Sequence, residues 1–201
     1  MRGVWIAIAL CMAALYLIAA PPPSVSSGNG TKAPEYTAEG NLKFPAEYRE
    51  WIYVTSSVDI SYGPSTTVEH SVFDNVFVNS EAYKSFLQKG TWPDKTIFVF
   101  EVRKAESNGS SNKARHFQTD KIVGRQVHVK DETRFPGKWA FFDSADGVTG
   151  KLLAREMDCY SCHEQHGAVD TTFVQSYPTL LNIAKRKNTL NPAYLKNETG
   201  K

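Results

Sequence analysis

Sulfur is scarce in this chain: three cysteines and three methionines in 201 residues. Charge of one sign is also missing in any concentration, since 23 Lys and Arg face 21 Asp and Glu for a net +2. A near-balanced chain lacks the basic face that phosphate binding requires, which argues against nucleic acid as the main partner. The densest basic run, Lys185-Arg186-Lys187, is short and reads as a solvated helix end. There is no internal repeat. Long hydrophobic runs are absent except at the N-terminus.

That one run has the form of an export signal. Arg2 supplies an early positive charge, Val4 to Ala20 carries none, and small residues close it. As a helix it would span about 26 Å, slightly under the roughly 30 Å of a hydrocarbon core. Residues 1–20 are therefore expected to be a signal peptide, with an uncleaved membrane anchor as the second reading. Either way the body of the protein is placed outside the cytoplasmic membrane, in the periplasm. Residues 21–42, opening with Pro21-Pro22-Pro23 and rich in Ser, Gly and Thr, read as a disordered tether. What remains is about 160 residues, one ordinary domain, expected over 43–190, with 191–201 as a tail.

Pro45 suits a first helical turn, and Tyr48, Trp51 and Ile52 fall on one face after it. Phe73 to Val78 reads as a strand. Asn79 or Ser80 can cap a helix carrying Ala82, Tyr83, Phe86 and Leu87 inward and ending at Gly90. Thr96 to Val102 is β-branched and aromatic, the clearest strand; Ile122 to Val129 and Lys138 to Phe142 follow. Helix is expected from Leu152 to Met157 and from Tyr177 to Arg186. The fold class is α+β, a small, largely antiparallel sheet with flanking helices.

Residues 159–163 read Cys-Tyr-Ser-Cys-His. Thiols three positions apart can each add to a vinyl group of one haem, and the histidine that follows then reaches the iron, so Cys159 and Cys162 are candidate attachment sites and His163 the candidate metal ligand. That makes one covalent haem c per chain the expected cofactor, bound near the C-terminal helical segment. A plain disulfide in an exported protein and a zinc site built with His166 are the competing readings. Met1 and Met12 lie in the leader and Met157 is too close to Cys159 to reach the other haem face, so a methionine sixth ligand is excluded. His70, His116 and His128 remain as candidates; without one of them the iron is five-coordinate, which suits binding or conversion of a small molecule.

The chain resembles the cytochrome P460 family and its relatives, the β-type cytochromes c′. The resemblance runs from Phe44 to about Lys185. It rests on Phe-Pro-x-x-Tyr-Arg-x-Trp at the start, Asn75-Val-Phe-Val-Asn, the Trp-Pro-Asp turn, Phe-Pro-Gly-Lys-Trp-Ala-Phe-Phe at 135–142, and the late Cys-x-x-Cys-His. It implies a homodimer on an antiparallel sheet with five-coordinate haem c. Members with a lysine bonded to the macrocycle oxidise hydroxylamine; members without it bind nitric oxide and carbon monoxide behind distal phenylalanines. Lys95, at the turn before the clearest strand, is the candidate for that lysine. Phe98 and Phe100 share one strand face and are candidates for the distal pocket. Glu101, Asp131 and Glu132 are candidates for handling protons. The expected functions are thus hydroxylamine oxidation or nitric oxide binding and detoxification, with a cytochrome as redox partner. Pure electron transfer through a His sixth ligand is the alternative.

Overall fold

The computed structural model describes residues 33–60, 71–109, 111 and 113–199. The expected leader and His70 lie outside them. Seven antiparallel strands form one sheet in the order β1-β7-β6-β5-β4-β3-β2. They are β1 (Leu42–Lys43), β2 (Ile52–Val58), β3 (Val72–Val78), β4 (Ile97–Glu106), β5 (Phe117–Lys130), β6 (Trp139–Asp143) and β7 (Thr149–Leu152). From β2 to β7 the chain meanders, each strand pairing with the next, and β1 closes the far edge against β7. Helix α1 (Ser80–Lys89) sits between β3 and β4; α2 (Asp158–His166), α3 (Pro178–Lys187) and α4 (Pro192–Thr199) follow the sheet. The architecture is α+β, as the pattern of apolar residues predicts. No helix of the described residues is long and apolar enough to cross a membrane.

Several boundaries differ from the sequence reading. Tyr48, Trp51 and Ile52 do not share a helix: Tyr48–Glu50 make one 3-10 turn, and Ile52 opens β2. The helical spacing there is outweighed by pairing of Ile52 with Val78 across the sheet edge. The expected helix from Leu152 to Met157 is instead the end of β7 and a turn, with α2 beginning at Asp158. Residues 36–42 belong to the packed fold: Tyr36 bridges to Leu42 and lies edge-on to Phe135, and Leu42 is 1% exposed. The segment expected as a tail carries α4.

Helix α1 lies where its sequence signals place it: Ala82 and Phe86 are buried and Gly90 ends the helix at φ +76°, but Leu87, expected inward, is exposed. A Cβ there would stand 2.7 Å from Cβ of Lys187, so α1 and α3 meet only because the residue is glycine. Asn79 does not cap α1 through its side chain. Its Oδ1 accepts the Ile97 N–H and its Nδ2 donates to the Lys95 carbonyl, which fixes the start of β4.

Alternation along the strands builds two cores on opposite faces of the sheet. One face carries Phe77, Ile97, Val99, Val127, Val129 and Phe142 under Leu42 and Tyr48. The other carries Val76, Val78, Phe98 and Trp139 under α1, α3 and the 168–177 segment. Glu101 belongs to the first face. It is fully buried and accepts from Tyr48 Oη, from Arg49 Nη2 at 2.7 Å, and from Arg103 Nε at 2.6 Å and Nη2 at 3.2 Å. Arg103 is itself largely buried, so removing the carboxylate leaves a cation without its partner. Glu101→Ala should cost about 3 kcal/mol in urea unfolding; a loss below about 1 kcal/mol would show that the network is solvated.

Asp74, opposite Val102 and Ser57 in the register, points to the second face. Burial, and then the charge of Asp59, lifts its carboxyl from 3.8 to about 6. A carboxyl whose folded pKa lies above its unfolded value takes up a proton on folding between the two, so its contribution turns unfavourable as pH rises through that window. Asp74→Asn should therefore stabilise the protein by about 2 kcal/mol near pH 7.5 and by close to nothing near pH 3.5. Denaturation curves showing the same gain at both would contradict this.

Candidate functional site

Helix α2 presents Cys159, Cys162 and His163 together, because positions i, i+3 and i+4 share one helical face. All three line a cavity of about 520 Å³, in the size range of cofactor sites. The cavity lies between α2 and the second face of the sheet. The register defines two rows of its wall. Phe98, His128 and Phe141 are consecutive cross-strand partners, and one step along the strands come Thr55, Val76, Phe100 and Gln126. Phe173, Ser176 and Tyr177 contribute from the segment before α3, Ser57 from β2 and Ile60 from just beyond it. The strand wall is mainly apolar and aromatic, with Thr55, Ser57, Gln126 and His128 as its polar residues, and Asp158, Thr172 and Ser176 add polar groups from the other side.

His163 is held at its far nitrogen. Its Nδ1 donates to the carbonyl of Thr171 at 2.7 Å, which leaves Nε2 as the nitrogen with a free lone pair. The ring lies 4.2 Å from Phe173 and 4.6 Å from Phe141, centroid to centroid. Burial pushes its pKa down, against the raising effect of the Thr171 carbonyl, so the imidazole is neutral, the form a metal requires. His128 is held further below its ordinary value by burial and then by His163.

The Thr171 carbonyl comes to His163 through a tight turn. Val169 and Thr172 pair across it, and Asp170 adopts φ +52°. Gly167 permits the approach of α2 to this turn: a Cβ there would stand 2.6 Å from the His163 carbonyl and 2.9 Å from the Thr172 nitrogen. The turn is pinned on several sides. Trp92 Nε1 donates to Thr172 Oγ1 at 2.8 Å, Lys130 Nζ reaches Asp170 Oδ2 at 3.3 Å, and Asn191 Nδ2 donates to the carbonyls of Gly167 and Asp170.

The other candidates from the sequence fall in different places. Phe98 and Phe100 line the cavity. Lys95 does not: its ammonium is bonded to Asp131 and lies near Asp94, at a position of φ +64°. Asp131 is buried beneath that lysine and also accepts from Thr133 and the Arg134 N–H. Glu132 pairs with Lys130 and Lys138. Glu101 sits on the opposite face of the sheet. Among the described residues, no lysine lines the cavity. His116 is exposed, with Nδ1 near Ser107 Oγ at 2.9 Å. His166 is exposed at the end of α2. His128 lines the cavity, but it shares Thr171 with His163 and so stands on the same side of it. Met157 caps α2 and faces solvent.

Sequence reasoning missed Phe141, Phe173, Tyr177 and the Thr171 carbonyl. Phe141 was within reach, being two positions from Trp139 on an alternating strand. A backbone carbonyl leaves no trace in the side-chain pattern.

The residues present fit a covalently held metalloporphyrin. Two free thiols, a neutral imidazole with its outer nitrogen satisfied, and an aromatic wall surround one cavity. The zinc reading finds no support: among the described residues no group of three or more metal-ligating side chains converges.

No curated protein matches the chain. The family model described as cytochrome P460 matches residues 45–174, a stretch that takes in the meander, α2, the Thr171 turn and all of the cavity lining but Ser176 and Tyr177. The haem-type donor set and this match agree, and the chain belongs to the cytochrome P460 family of haem proteins.

Proposed function

We propose that this chain is an exported mono-haem cytochrome whose iron, held by His163, binds nitric oxide. Cys159 and Cys162 form the two thioether bonds. The observation that carries the reading is the lining of the cavity: the α2 thiols and His163 face an apolar wall that offers, among the described residues, neither a lysine to modify the macrocycle nor a second free ligand across from His163.

A haem held by Cys159, Cys162 and His163 would supply an iron able to bind a diatomic ligand. The chain does the rest. His163 Nδ1–H donates to Thr171 and fixes which nitrogen faces the metal. Phe100, Val76 and Ile60 present apolar surface to the cavity, which favours a small uncharged ligand and disfavours ions. Carbon monoxide is the second ligand this chemistry admits. Hydroxylamine oxidation receives less support, because Lys95, the residue expected to bond the macrocycle, is tied to Asp131 instead. Export to the periplasm rests on the basic, apolar and small-residue order of positions 1–20. A homodimer and a cytochrome redox partner complete the reading.

Ferrous spectra of protein matured in a host that attaches haem c test this directly. A high-spin spectrum that shifts with nitric oxide is expected. A red-shifted band near the wavelength that names the family would instead support the cross-linked hydroxylamine oxidase. A low-spin spectrum indifferent to carbon monoxide would favour electron transfer with a sixth ligand such as His70.

Attachment has its own test. Intact mass should equal apoprotein plus one haem, and the pigment should resist extraction by acidified organic solvent. In the Cys159→Ala, Cys162→Ala double variant the pigment should become extractable; pigment that stays bound without both sulfurs would overturn thioether attachment.

A further inference from the structure

The strand residue His128 is placed where an apolar side chain would suffice for packing. Its ring is stacked on Phe141 at 4.0 Å and 13°, lies 4.5 Å from Trp139, and is edge-on to His163 at 5.2 Å and 77°. In this surrounding a polar ring needs a partner, and the partner is specific: His128 Nε2 and Thr171 Oγ1 are 3.2 Å apart. The carbonyl of the same Thr171 receives the Nδ1 proton of His163. One residue therefore joins the imidazole proposed to hold the iron with a second imidazole fixed to the sheet. The connection from β5 to the turn runs through His128 at Thr171 and through Lys130 at Asp170.

We propose that His128 is a positioning residue for His163, acting through Thr171. It holds the Thr171 peptide so that its carbonyl meets the Nδ1 proton at short range. A strong N–H···O bond at the outer nitrogen raises the electron donation of the inner one to a bound metal, which stabilises the oxidised state. His128 also lines the cavity and lies edge-on to His163, so Thr171→Val, which leaves both rings in place, isolates the path through Thr171.

The inference rests on His163 being the iron ligand, and the experiment separates the two claims. Resonance Raman spectroscopy of the ferrous holoprotein reads the iron–histidine stretch, and potentiometry reads the haem potential. His128→Phe keeps the stacked ring and removes the bond to Thr171; Thr171→Val removes the hydroxyl and keeps the carbonyl. Each should shift the stretch to lower frequency and the potential upward, and the two changes combined should do no more than either alone, because they break one path. Thr171→Ser should restore both readings. Thermal melts identify any variant that fails to fold, and Thr171→Val carries the test if His128→Phe does. A folded Thr171→Val protein with unchanged stretch and potential would overturn the role of His128. An iron–histidine stretch lacking in the unmodified protein would instead overturn the assignment of His163.

Discussion

The hydrogen bond from His163 Nδ1 to the Thr171 carbonyl is the contact on which the site depends. It is a bond to a backbone atom, so its geometry is set by how the turn at 169–172 is held. That turn is fastened to the sheet by Lys130 and His128, to the β3–β4 connection by Trp92, and to the start of α4 by Asn191. Three separate parts of the chain thus converge on the orientation of one peptide plane. The short helix α2 buries only Tyr160, whose Oη donates to the Leu153 carbonyl and accepts the Phe141 N–H. The seat of the His163 imidazole is accordingly defined more by the sheet than by the helix that carries it.

The sheet separates two kinds of chemistry across its thickness. On one face the buried Glu101 gathers Arg49, Arg103 and Tyr48 into an ionic cluster; on the other, a residue away along the same strand, Phe98 and Phe100 form apolar wall. A pleated strand allows this because successive side chains never share a face. The Glu101 carboxylate is thereby kept behind the backbone of β4, while Asp143 stands beside Gln126 in the register and Asp158 of α2 lines the cavity.

Much of this was legible in sequence. The Cys-x-x-Cys-His spacing marks three side chains that fall on one helical face wherever that helix sits. The alternation of β4 places Phe98 and Phe100 together, and the same alternation already sets Glu101 apart from them, so its role in the cavity was contradicted by the rule that selected the phenylalanines. Lys95 was chosen by proximity along the chain, which says nothing about the direction of a side chain at a left-handed turn position. The misread segments are short ones. Pro45 to Ile52 has helical spacing over a single turn, too little to resist an available strand partner, and Leu152 to Met157 is apolar only at its ends. His128, Phe173 and the Thr171 carbonyl come together from segments remote in sequence, and periodicity has no access to such meetings.

The position of the cavity has a bearing on the life of the protein in the cell. It lies directly beneath α2, so the group that fills it is also the layer on which that helix rests. Loading and structural integrity are then one equilibrium, since whatever binds the folded form alone raises its stability. Cellular proteases sample the loosened form of a chain, so correctly assembled molecules would outlast incomplete ones without any dedicated inspection step.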